Sequence, residues 1–222
     1  MNYDIIQTSD RDTVPAFDPT TFWTEFRHGT ATVKGVRLHF VEGGNGAPVL
    51  LLPGWPQSWY AWRYVMPLLL AAGRRVIALD PRGMGDSDRP ASGYDLLLGR
   101  EREFLSWLFR AKAVRPWTIT PADLDEYVRV NAAVGATRAA LSYYRHVFSP
   151  EGLEQSQART ERKLHMPILA FGADKGVGTG LVETMRLVAT DVRGGVFEGC
   201  GHYMPEEAPR CLAEQVLQFI GV

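Results

Sequence analysis

Two short apolar runs, residues 49–52 (Val-Leu-Leu-Leu) and 76–79 (Val-Ile-Ala-Leu), stand on either side of a helix-length stretch. A run without polar alternation is what a strand covered on both faces needs. Strand, helix and strand at this spacing close as a right-handed crossover, so the sheet must be largely parallel. The intervening stretch starts a helix at Ser58 and carries Trp62, Val65, Met66, Leu69 and Leu70 on one stripe, with Gly73 as its stop. Pro67 inside that stripe predicts a kink or a restart, because a proline removes one helical hydrogen bond and its ring crowds the preceding turn. Upstream, residues 31–33 and 37–42 flank Lys34-Gly35 and run into the cluster Gly43-Gly44-Asn45-Gly46, which reads as an antiparallel hairpin at a sheet edge.

From residue 96 onward the pattern is helical only. Residues 99–113 place Phe104, Trp107, Leu108 and Ala111 on one face. The next helix opens with Thr120 as N-cap, Pro121 in its first turn and Asp123 completing a capping box. A third helix carries Leu141, Tyr144 and Phe148 before Ser149-Pro150 ends it, and residues 151–163 are polar enough for an exposed helix or connector. Sheet signals then return: a strand over 167–171, a helix over 181–189, a last strand over 192–198, and a closing helix over 205–220 with Leu212, Val216, Phe219 and Ile220 turned inward. The expected organisation is one α/β domain, residues 1–222, with a helical lid inserted at 96–150.

Composition narrows the function classes. Twenty-four basic against 25 acidic residues leave a net charge of −1, which gives no electrostatic footprint for nucleic acid or an anionic membrane. The longest apolar runs, such as 65–72, are too short to span a bilayer, and the N-terminal stretch is polar and acidic, unlike a secretory leader. A cytoplasmic protein acting on a small, largely uncharged molecule is the expectation. Cys200 and Cys211 give neither a disulfide framework nor metal-ligand spacing, and Cys200 reads as a small buried filler. The sequence implies no metal and no cofactor, and it is silent on oligomeric state.

Two segments carry a specific likeness. Gly54-Trp55-Pro56-Gln57-Ser58-Trp59-Tyr60-Ala61-Trp62-Arg63, followed by Asp80-Pro81-Arg82-Gly83-Met84-Gly85-Asp86-Ser87-Asp88-Arg89-Pro90, resembles the N-terminal half of an epoxide hydrolase of the α/β-hydrolase superfamily. Residues 27–95 and 167–222 resemble the core, and 96–148 the helical cap. The resemblance implies an α/β fold with a mostly parallel sheet under a cap. It also implies hydrolysis of a small apolar epoxide or related electrophile, with specialised metabolism as a setting. In such enzymes an aspartate attacks an epoxide carbon, cap tyrosines hold the ring oxygen, and a histidine-activated water hydrolyses the ester. Carried over residue by residue, His202 in Gly199-Cys200-Gly201-His202-Tyr203 is the base. Tyr144 in Leu141-Ser142-Tyr143-Tyr144-Arg145 is the donor to the ring oxygen, with Tyr143 as the neighbour that could face the site in its place. The Trp55 backbone N–H, next to Pro56, is the oxyanion donor.

The chain departs from that pattern after Gly93-Tyr94-Asp95. A helix, the strand ending in a Gly-x-Asp-x-Gly elbow, a further helix and a further strand are expected there, and the chain passes directly to Leu96-Leu97-Leu98-Gly99-Arg100. The sheet is therefore expected to be shortened in its centre, with apolar edges exposed and the attacking carboxylate gone. Gly172-Ala173-Asp174-Lys175-Gly176 still matches the elbow spacing, but Val177-Gly178-Thr179-Gly180 delays the next helix. Asp174 thus has three readings: the acid that orients His202, a replacement nucleophile, or a loop aspartate. Asp80, Asp86 and Asp88 read as loop-fixing residues, through turn hydrogen bonds and ion pairs with Arg82 or Arg89. Two functional classes follow: an epoxide-hydrolase-type enzyme, or an impaired or shortened remnant that at most binds small ligands.

Overall fold

The computed structural model describes residues 4–8, 17–89, 97 and 99–221. The junction at Asp95-Leu96 lies outside the described residues. The chain begins with strand β1 (Asp4–Gln7), helix α1 (Pro19–Glu25) and the hairpin β2 (Arg27–Val33) and β3 (Val36–Gly43). Lys34 and Gly35 make the hairpin turn with φ of 49° and 76°, so both central residues are left-handed, the geometry that matches the twist of the paired strands. Strand β4 (Pro48–Leu51) and β5 (Arg75–Leu79) pair in parallel, as the two apolar runs require. The crossover between them is a 3₁₀ turn over Trp59–Trp62, capped by the Ser58 hydroxyl, and then α2 (Met66–Ala71). Pro67 sits in the first turn of α2, so the proline restarts the helix and does not kink it.

Four helices follow: α3 (Glu101–Lys112), α4 (Pro121–Asn131), α5 (Ala136–Val147) and α6 (Pro150–Glu161). Thr120 and Asp123 form the reciprocal capping box at α4. The chain then returns through β6 (Ile168–Ala173), α7 (Gly180–Val188), β7 (Val192–Glu198), α8 (Met204–Glu207) and α9 (Pro209–Phe219), so the closing helix is split before Pro209. Among the described residues the strands form two sheets, one in the order β2-β3-β5-β4 and one in the order β1-β7-β6. The second is wholly parallel, because β1, which the sequence reading did not anticipate, pairs with β7 in parallel. A single core of buried side chains nevertheless runs under both sheets. It joins Val41, Leu51, Val76 and Ala78 to Phe171, Ala173 and Phe197 through Met66, Leu69, Ala208 and Leu212 on the flanking helices. Cys200 is buried in that core.

Three expectations are corrected. The run 49–52 is not covered on both faces: Leu50 is 57% and Leu52 53% exposed, and among the described residues β4 ends its sheet. In α3 the inward face carries Leu105, Leu108 and Phe109, leaving Trp107 exposed. In α5 it carries Ala136, Thr137, Ala139 and Ala140, leaving Tyr144 and Phe148 exposed. The stripes were read correctly as amphipathic, but the larger apolar residues do not all face the core.

The third correction concerns the loop after β5. Asp80 is fully buried; its Oδ1 accepts from the Trp59 N–H at 2.7 Å and its Oδ2 from the Asp86 N–H at 3.0 Å, with His39 Nδ1 at 2.8 Å. It is a loop-fixing residue, as read. The ion pairs are different from those expected: Asp88 meets Arg37 and Asp86 meets Arg129, while Arg89 donates to the Gly85 and Val130 carbonyls. His39, Asp80 and Asp86 lie close enough to share a cation. Their ligand atoms are already spoken for, His39 Nε2 by His28 at 2.8 Å and both Asp86 oxygens by Arg129, so the cluster is a brace between β3, β5 and α4.

Candidate active site

The turn after β4 is held from two sides. The Gln57 N–H donates to the Gly54 carbonyl at 2.8 Å, and from α4 the Asn131 amide donates to the Pro56 carbonyl at 2.8 Å. The Trp55-Pro56 peptide is cis. Among the described residues the Trp55 backbone N–H has no hydrogen-bond partner, which leaves it available as a donor. The Trp55 ring lies between two helices, 5.9 Å from the Phe104 ring on α3 and 6.3 Å from Tyr144 on α5 in a T-shaped arrangement. The Trp55 indole N–H is buried without a partner.

The two adjacent tyrosines separate cleanly. Tyr143 donates its hydroxyl to the Arg82 carbonyl at 2.7 Å and is committed to the loop after β5. Tyr144 is the one beside Trp55, half exposed and at a steep angle to the indole.

His202 lies on the loop after β7. Its N–H donates to the Lys112 carbonyl at 2.9 Å, and its ring, still exposed, meets Tyr203 edge-on at 5.2 Å. Protein packed around one side of the ring holds its pKa below the ordinary 6.5 by desolvation; Lys112 adds to this, and Glu207 opposes it. The imidazole is therefore neutral at pH 7, the form a general base needs. Tyr203 is buried with no partner for its hydroxyl, and burial, with the charge of Glu207 and the nearby Tyr144, pushes that hydroxyl's pKa far up.

Two residues hold this loop, Glu207, which the sequence reading did not single out, and Gly201. The Glu207 carboxylate accepts from the N–H groups of Gly201 (3.1 Å) and Tyr203 (3.2 Å) on the His202 loop, and from those of Val114 (2.7 Å) and Arg115 (3.0 Å) beyond α3. Gly201 is required by close approach, since a Cβ there would meet the Lys112 carbonyl at 2.5 Å and the Val114 nitrogen at 2.6 Å. A glutamate five residues after a loop histidine carries no pattern that marks it as a clasp, which is why reading along the chain passes over it.

Asp174 follows β6 at the same end of its sheet. Its Oδ1 accepts from the Cys200 N–H at 3.2 Å, and Lys175 Nζ stands 3.5 Å from Oδ2. Burial alone would raise its pKa, but the Cys200 and Gly199 N–H groups and Lys175 outweigh that and hold it low. Among the described residues its carboxylate makes no hydrogen bond to the His202 ring. The helix after it starts only at Gly180, with the Gly176 and Gly178 N–H groups turned back to the Ala173 carbonyl. The structure thus brings Trp55 and Tyr144 together and brings Asp174 to the His202 loop, but it does not join Asp174 to the imidazole.

A largely buried polar cluster ties this region to the helices above it. Arg63 reaches Glu206 and Asp123 at 2.9 Å each, Tyr60 donates to Asp123 at 3.1 Å, and Tyr127 donates to Glu206. Burial raises the pKa of Glu206, opposed mainly by Arg63.

A family model described as the alpha/beta hydrolase fold matches residues 47–119. Cfl2 from Burkholderia cenocepacia superposes with a TM-score of 0.78 at 30% sequence identity, covering 96% of this chain and 98% of that structure. The soluble epoxide hydrolase of Corynebacterium sp. (strain C12) is 26% identical over 283 residues, covering 88% of this chain and 98% of that protein. The chain has the α/β-hydrolase fold and is similar to epoxide hydrolases along most of its length. Local identity is higher: the bifunctional epoxide hydrolase 2 of Rattus norvegicus is 55% identical over 64 residues, which is 28% of this chain and 12% of that protein. No described helix is long and apolar enough to cross a membrane.

Proposed function

We propose that this chain receives a small apolar epoxide, or a related electrophile, between Trp55 and the helices α3 to α5, which serve as its cap. Tyr144 donates a hydrogen bond to the ring oxygen, and the neutral His202 imidazole is the base that would activate water. The observation that carries this reading is the Trp55–Tyr144 ring contact at 6.3 Å, which sets the tyrosine against a turn whose Trp55 backbone N–H is uncommitted among the described residues. Tyr143 and Pro56 shape the wall without touching the ring oxygen.

The same reading makes the chain a binder with impaired chemistry. Opening an epoxide through an ester needs a carboxylate aimed at the ring carbon, and Asp174 is instead held by the Cys200 N–H and lacks a helix N-terminus behind it. Asp174 acts as a loop brace that keeps the His202 segment against β6, and His202 has lost the partner that would orient it. The alignment with the Corynebacterium relative, 283 residues long against a chain of 222, supports a missing segment.

A titration of a small aryl epoxide followed by tryptophan fluorescence tests the binding step. Tyr144→Phe should weaken binding about 5–10-fold, the equivalent of one hydrogen bond of roughly 1–1.5 kcal/mol. Tyr143→Phe should leave it unchanged, and equal effects of the two substitutions would remove Tyr144 from the site.

A further inference from the structure

We propose that the cleft between α3, the turn over Pro116–Thr118 and the start of α4 binds an aryl monocarboxylate, its ring against apolar walls and its carboxylate on Arg110 and Ser106. The cleft measures about 360 Å³, within the range of small-molecule sites. Its innermost walls are Phe109 and Ile119, 3% and 9% exposed, with Leu124 beside them. Pro116, Pro121 and Trp117 complete the apolar lining, and Trp117 is 71% exposed, a large aromatic surface open to a planar ligand.

The walls are held in place before any ligand arrives. The Thr118 N–H and hydroxyl both donate to the Arg115 carbonyl, at 3.0 and 2.8 Å, and the Arg115 N–H is in turn held by Glu207 at 3.0 Å. On the other side the Thr120–Asp123 capping box fixes Pro121. A ligand entering such a cleft does not have to order its walls.

The polar groups decide the chemistry of the ligand. Arg110 alone among the lining residues carries a charge, and among the described residues its guanidinium has no hydrogen bond or ion pair. Ser106 lies one helical turn before it, on the same face of α3. The helical hydroxyls of Ser142, Ser156 and Thr184 turn back to a carbonyl three or four residues earlier. That of Ser106 makes no such bond among the described residues, which leaves it able to donate into the cleft. The Thr120 hydroxyl is already committed to Asp123. A cationic fork and a hydroxyl donor one turn apart suit the two oxygens of a carboxylate, whereas a cationic ligand would meet Arg110 with no acid in the lining to balance it. Trp55, Tyr144 and His202 take no part in these walls, so the site is separate from the one assigned to the epoxide and does not rest on that reading.

The probe is phenylpropionate added to the isotope-labelled full-length chain and followed by nitrogen–proton NMR, with phenylpropionamide as its uncharged twin. Expected are saturable shifts of the Trp117 indole N–H and the Arg110 side-chain N–H, with the Trp55 indole N–H unmoved. The amide should bind about 5-fold more weakly than the acid, and Arg110→Met should weaken the acid by the same factor while leaving the amide as it was. Arg110 is exposed, so the variant should melt as the unmodified chain does. Added salt should weaken the acid and spare the amide. Absence of saturable shifts, equal affinity of acid and amide, undiminished binding of the acid by Arg110→Met, or movement of the Trp55 indole in place of Trp117 would each overturn the site.

Discussion

Arg63→Met is expected to lower the stability of the chain by about 3–5 kcal/mol in urea unfolding at pH 7, because it strands two buried carboxylates. Arg63 is 1% exposed and spans Glu206 on α8 and Asp123 on α4, with its guanidinium 4.3 Å from the Tyr60 ring centre and 4.2 Å from that of Tyr64. Arg63→Lys should recover little of this, since an ammonium is a point charge that cannot fork to two acids and stack between two rings. The pH dependence carries a sign. Burial already raises Glu206 above its ordinary 4.5, and removing Arg63 raises it further. A group whose pKa is raised on folding contributes stability below its unfolded value and loses it as pH rises through the folded value. The deficit of the variant should therefore be smallest below about pH 4.5 and grow toward neutrality. A deficit that does not change with pH would show that Glu206 is not the group left unpaired.

Glu207→Ala is expected to be nearly as damaging, by roughly 2–4 kcal/mol, and to act on the site as well. The substitution leaves four backbone N–H groups without their acceptor, two on the His202 loop and two beyond α3. Freed from that clasp, the His202 ring should gain water. Its pKa, now held down chiefly by desolvation, should then rise toward 6.5 in a proton NMR titration even though a nearby negative charge has been removed. A fall instead of a rise would mean that the Glu207 charge outweighs burial at this ring.

The parts of the fold that can be read along the chain are those fixed by local chemistry. The apolar runs at 49–52 and 76–79 gave the parallel pair, Pro67 the break in the crossover, Thr120 and Asp123 the start of α4, and Lys34-Gly35 the hairpin. What escaped reading depends on contacts far apart in sequence. β1 is a short strand that pairs with the edge of β7, and the exposure of Leu50 follows from the place of β4 at the end of its sheet. The site divides in the same way. Trp55, Tyr144 and His202 stand out by motif, whereas Glu207 and Arg63 matter through partners 60 to 143 residues away, and the capping box that marks Asp123 says nothing of its ion pair with Arg63. The choice between Tyr143 and Tyr144 was open for a helical reason: neighbours on a helix point about 100° apart, and only the position of Arg82 decides which one is occupied.

The account rests on the chain holding an epoxide-opening scaffold without the carboxylate that attacks. The direct measurement is intact-protein mass spectrometry after incubation with a reactive aryl epoxide and a rapid acid quench, with peptide mapping of any adduct. The expected result is no ester on any aspartate, with bound epoxide released unchanged. An ester mapped to a single aspartate, Asp174 above all, that accumulates in His202→Ala and turns over in the unmodified chain would contradict it.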